Sequence, residues 1–158
     1  MKKKCRILAF LLTAIFMLQT IPVGAMEREW YDLKEENILI DDSSSEEEEI
    51  NLYTLYIAGA TVTLKKMGSG EFGMRSEVIC SETMKKIETV FTLQKKSGSS
   101  WVTVGTGSVS QSDTRTMYKA MTASGVASGT YRCIASSKAT SYSGYSETVS
   151  ITSSAVKM

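Results

Sequence analysis

From Leu52 onward, apolar positions recur at every second residue. "ATVTLKK" sets Ala60, Val62 and Leu64 against Thr61 and Thr63, and "SEVICSE" puts Val78 and Cys80 on one face. "IETVFTLQ" aligns Ile87, Phe91 and Leu93, "WVTV" aligns Val102 and Val104 opposite Trp101, and "TMYKAM" aligns Met117 and Met121 opposite Tyr118. "TYRCIA" joins Tyr131, Cys133 and Ala135 with Arg132 turned out, and "ETVSIT" pairs Val149 with Ile151. A period of two with one apolar face is the mark of half-buried strands. Clusters of Gly and Ser at 68–73, 97–100, 105–112, 124–129 and 141–144 separate these runs and predict turns. About seven short strands so spaced predict an all-β antiparallel sandwich or barrel, not an α/β fold.

Upstream the pattern changes. Ile7 to Ile21 is a mostly apolar run behind Lys2, Lys3, Lys4 and Arg6, and Pro22, Val23, Gly24 and Ala25 follow it. This reads as a secretory signal peptide, residues 1–25, cleaved after Ala25. The alternative is an uncleaved anchor, for which the run falls short of the roughly 20 apolar residues a spanning helix needs. Cys5 leaves with the signal. Without a further run of that kind, no stable membrane insertion is expected after cleavage, and the exported protein is expected to be extracellular.

Charge divides the rest. Residues 26–51 carry eleven acids against Arg28 and Lys34, a net of −9, and residues 52–158 carry six acids against twelve Lys and Arg, a net of +6. "DDSSSEEEEI" cannot bury enough apolar surface to repay chain ordering, so 26–51 is expected to be largely disordered ahead of a β-domain at 52–158. Residues 26–40 also admit a short helix carrying Trp30 and Leu33. The acidic run lacks the glycine-turn spacing of a calcium loop.

Two cysteines survive signal removal, and an oxidising compartment makes Cys80–Cys133 the expected disulfide; two buried free thiols are the alternative. In "GTYRC", Tyr131 stands two residues before Cys133. This resembles the corner and following strand of immunoglobulin-like domains, where a tyrosine hydroxyl fastens the corner and the next inward cysteine bridges the sheets. With "TLQKKSGSSWVTV" at 92–104, the stretch 52–154 is also similar to small secreted proteins of Gram-positive bacteria. The resemblance implies a tyrosine corner at Tyr131 and an immunoglobulin-like antiparallel sandwich. Two departures stand out: no tryptophan occupies the third strand, and Ala127 replaces the usual acidic residue before the corner.

Chemistry is sparse. The chain has no histidine, which excludes Ser-His-Asp and Cys-His catalysis and leaves no adequate zinc ligand set. "GSGEFG" at 68–73 matches a dinucleotide fingerprint but is followed by a strand pattern, which makes it a hairpin loop. Glu71, Glu77, Glu82, Glu88, Asp113 and Glu147 read as solvated carboxylates. No enzyme activity, metal or cofactor is expected. The basic residues, among them Lys95, Lys119 and Arg132, suit an anionic cell-wall polymer, against the plainer reading that they keep sheet edges soluble. Nucleic acid is not an expected partner of an exported protein. "ATSYSGYSE" sets Tyr142 and Tyr145 among Ser and Gly, a composition that suits adaptable contacts, and Trp101 is a further candidate contact. Together these predict a secreted, non-enzymatic module binding a protein or glycan. The alternative is a secreted effector or antimicrobial protein whose acidic 26–51 segment is a pro-region masking a basic domain.

Overall fold

The computed structural model describes residues 29–38, 40, 48–51 and 55–158, with 48–51 described as backbone. The signal-peptide reading of 1–25 and most of the acidic run lie outside them. Among the described residues the chain is all-β and antiparallel, an eight-stranded arrangement. Its strands are β1 (Leu33–Glu35), β2 (Glu48–Asn51), β3 (Ile57–Gly68), β4 (Glu71–Ser97), β5 (Ser100–Ser124), β6 (Thr130–Thr140), β7 (Ser146–Thr152) and β8 (Val156–Lys157).

Two of these are far longer than the alternation suggests. β4 runs 27 residues and β5 runs 25, joined by a turn at Gly98–Ser99 between the paired Ser97 and Ser100. Gly98 sits at φ 60°, the left-handed value that a tight hairpin asks of its first central residue. A register shift between Ile79 and Met84 interrupts the β4–β5 ladder. On its N-terminal side β4 pairs with β3; on its C-terminal side, from Lys86 to Lys95, it pairs with β6. β6 in turn pairs with β7 and β8. β3 also lies against β6 and β7, with which it forms no ladder, an arrangement compatible with a β-sandwich.

One apolar core joins the two halves. Val62, Phe72, Met74 and Val78 meet Phe91, Leu93, Met117, Tyr131 and Cys133, all buried. The Phe72 ring meets the Tyr131 ring at 5.2 Å, tilted by 59°, a favourable aromatic geometry.

The expectation of a helix or disorder across 26–40 is not met in the described part. Leu33–Glu35 is a strand on the edge of β5, and Glu48–Asn51 is a strand on the edge of β3. The sheet order β1-β5-β4-β3-β2 puts these two neighbours in sequence on opposite edges. Ile38 and Ile40 sit over Gly73 of β4, and the Arg75 guanidinium donates to the Ile40 carbonyl at 2.7 Å. The physical reason is alternation along an extended chain. Tyr31 and Leu33 pack on the core, Glu29 pairs with Lys95 at 2.5 Å, and Glu35 pairs with Lys119 at 2.6 Å.

Glycines at 105 and 107, which read as a turn, lie inside β5 for the same reason. A Cβ on Gly105 would stand 2.7 Å from the Tyr31 carbonyl oxygen, and one on Gly107 would stand 2.9 Å from Leu33 Cβ. The strand is stripped of side chains where the N-terminal segment lies on it.

Candidate functional site

At one end of the molecule β4 exchanges β3 for β6 as its second neighbour. There β4 passes through 80–86, β5 passes through 111–115, and the loop 141–145 joins β6 to β7. Register brings the three together: Lys86 faces Ser112 on one side and Thr140 on the other, and Met84 faces Thr114. Arg115 Nε donates to the Cys80 carbonyl at 2.8 Å, tying two of these segments. Tyr142 Oη donates to Asp113 Oδ1, tying the third. This hydrogen bond and the neighbouring carboxylate raise the Tyr142 pKa. Asp113 holds φ 54°, a left-handed value that Asp tolerates better than most side chains.

The start of β3 completes this end. Glu147 Oε2 accepts from the Tyr56 and Ile57 amides at 2.9 and 3.0 Å, and Ser81 Oγ donates to the Leu55 carbonyl at 3.1 Å. The Leu55 side chain is 75% exposed beside them, with Tyr142 64% and Tyr145 70% exposed. The loop itself is firm. Ser141 N donates to the Tyr145 carbonyl at 2.8 Å and Gly144, at φ 89°, closes back on Ser141. The result is a rigid scaffold presenting one aliphatic and two phenolic side chains among Ser, Gly and charged groups. Such a surface offers large contact area with little rotamer freedom to lose on binding.

Trp101 does not belong to it. It faces Lys96 beside the 98–99 turn, ten residues along β4 from Lys86, which is about 33 Å of extended strand. The Arg132 guanidinium stacks over its ring at 4.4 Å, and Arg132 is held in turn by Gln94 at 2.8 Å. Trp101 is thus engaged within the fold by a cation–π contact.

Tyr131 is fully buried, and its hydroxyl donates to the Ala127 carbonyl at 2.9 Å, fastening the connection between β5 and β6. Burial, first of all, raises its pKa. The Tyr31 hydroxyl accepts from the Ala127 amide at 3.2 Å, so the N-terminal segment grips the same corner.

The expected Cys80–Cys133 disulfide is not formed; both thiols are free and buried. Cys80 pairs with Ile57 at the crossing end, whereas Cys133 pairs with Leu93, thirteen residues further along β4. It is Phe72 that lies against β6 beside Cys133, through its contact with Tyr131. A bridge needs α-carbons about 4.4–6.8 Å apart, and this register separates the two cysteines to different ends of the core. Burial pushes the Cys80 thiol up to about 11 and the Cys133 thiol up to about 12.

Sequence reasoning finds the 141–145 loop from its Tyr, Ser and Gly content. It misses Asp113, Leu55 and the 80–86 crossing, which carry no compositional signal and are assembled by register. No protein-family model matches the chain, and no curated protein sequence matches it.

Proposed function

We propose that the protein is an exported, non-enzymatic binding module, an immunoglobulin-like β-sandwich that holds a protein or glycan through the end formed by 80–86, 111–115 and 141–145. The observation that carries this reading is the convergence of three chain segments on exposed Tyr142, Tyr145 and Leu55. The pairing pattern supports the immunoglobulin-like comparison: the first half of β4 lies between β3 and β5, and its second half lies between β5 and β6, with β7 beyond. In domains of that kind, loops clustered at one end form the contact surface.

The test is retention of the exported protein on cell-wall and host-surface material, wild type against the Tyr142→Ala/Tyr145→Ala variant. Both side chains are exposed, and losing the Tyr142–Asp113 hydrogen bond should cost no more than about 1.5 kcal/mol, so the variant should stay folded under the assay conditions. Loss of retention in the variant supports the reading; no retention of the wild type, or equal retention of both, sinks it.

The masking alternative has its own support in the ion pairs Glu29–Lys95 and Glu35–Lys119. Against it, β1 and β2 belong to the sheet, and removing 26–51 would strip two of its outer strands. The intact mass of exported material separates the two readings: a species beginning near Leu52 favours a pro-region, and one beginning near Met26 favours an integral segment.

A further inference from the structure

The N-terminal segment has a second face. Its odd positions hold it to the body: Glu29 on Lys95, Tyr31 on the corner, Leu33 on the core, Glu35 on Lys119. Extended chain alternates, so Trp30, Asp32 and Lys34 form a row on the other side. These three line an open cavity of about 300 Å³ together with Tyr31, Thr122 and Ser124. Lys34 is the register partner of Thr122, which fixes the row alongside the last residues of β5. Trp30 is 53% exposed, a large ring that the core does not use. The cavity lies at the far end of β5 from Asp113, nine residues away, or roughly 30 Å of strand.

We propose that this cavity is a saccharide subsite, taking one pyranose ring that carries a carboxylate. Its size suits a single ring, at the lower bound of ligand pockets. The negative face of an indole attracts the polarised C–H face of a sugar. Asp32 is acceptor-only and takes hydroxyl hydrogens; Lys34 is donor-only and takes the carboxylate; the Thr122 and Ser124 hydroxyls serve in either sense. A peptide strand added to β5 is disfavoured here, because β1 already occupies that edge at Met121, Thr122 and Ala123. The inference is independent of the 141–145 surface.

The exported protein with Trp101→Phe leaves Trp30 as the fluorophore, since the chain has two tryptophans. Titration with a hyaluronan tetrasaccharide, whose glucuronates carry the carboxylate, should shift Trp30 emission saturably. The neutral chitotetraose should bind about tenfold more weakly, the scale of one lost charge-assisted hydrogen bond. Calorimetry on Trp30→Ala should show hyaluronan binding at least tenfold weaker with an unchanged unfolding midpoint, and Lys34→Ala should equalise the two sugars. No emission shift with hyaluronan, equal response to both sugars in the parent, or full binding by Trp30→Ala would each overturn the proposal.

Discussion

Gly105→Ala tests the seating of the N-terminal segment, because the added methyl has nowhere to go. Its Cβ would lie 2.7 Å from the Tyr31 carbonyl oxygen and 3.4 Å from Leu33 Cδ2. The first of these neighbours is backbone, held by the Tyr31 N–H donating to the Val104 carbonyl at 2.6 Å, so it cannot swing aside as a flexible side chain would. The segment must move off β5. Losing that hydrogen bond costs about 1 kcal/mol. Partial exposure of Leu33, which packs on the core, adds roughly 1 kcal/mol, about half the value of fully burying such a side chain. Alanine in place of glycine in a strand restores about 0.5–1 kcal/mol by restricting the unfolded chain. The net expectation is a loss of about 1–1.5 kcal/mol. With a urea slope of about 1–3 kcal/mol/M, the midpoint should fall by roughly 0.3–1.5 M. Gly59→Ala is the matched control. Nothing lies within 4 Å of its added Cβ, so it should be neutral or stabilising by up to about 1 kcal/mol. Limited proteolysis should cut the 29–38 stretch faster in the Gly105 variant alone. If both variants unfold at the same urea concentration with the same cleavage pattern, the segment does not lie where Gly105 places it.

Tyr131→Phe removes the hydrogen bond to the Ala127 carbonyl and should cost about 0.5–1.5 kcal/mol in urea unfolding, with little change in near-ultraviolet circular dichroism. Both thiols should be unreactive toward a disulfide reagent in the native state at pH 8 and react fully in denaturant, since both are buried and their pKa values are raised to about 11 and about 12. Folded values above the ordinary 9.0 place the linked stability below pH 9. It should be lost progressively as pH rises through about 9 to 12, measurable as a falling midpoint absent from a Cys80→Ala/Cys133→Ala variant. Asp113→Val should destabilise by about 1–3 kcal/mol through its left-handed backbone, whereas Asp113→Gly should relieve that strain and loosen Tyr142, read as faster quenching of tyrosine emission.

The period-two alternation carries the all-β class, because Val78, Phe91, Leu93, Met117 and Tyr131 do face one core. It cannot say where strands end. Gly105 and Gly107 look like punctuation but are clearance for a distant segment, and that segment's own signal is short: Tyr31 and Leu33 inward, with charges between. Ion pairs and backbone ladders on the body hold Leu33–Glu35 in place, and these depend on tertiary register rather than local propensity. The cysteine pairing fails for a related reason. Counting cysteines gives partners but not positions, and a continuous β4 carries Cys80 to the crossing end. The 141–145 loop is visible in its composition, whereas its bond to Asp113 joins residues 29 apart that nothing in "SQSDTRT" singles out.

The placement of β1 and β2 on two of the outer borders of one sheet has a colloidal consequence. Unpaired strand borders invite neighbouring molecules to continue the ladder, which is how soluble sheets become fibres. Here two of those borders are drawn from the stretch with a net charge of −9, whereas β7 and β8, which pair only with β6, are not. Copies approaching by the β2 border bring Glu48 and Glu49 together, a repulsion that opposes continuation of the ladder there and is strongest in dilute salt.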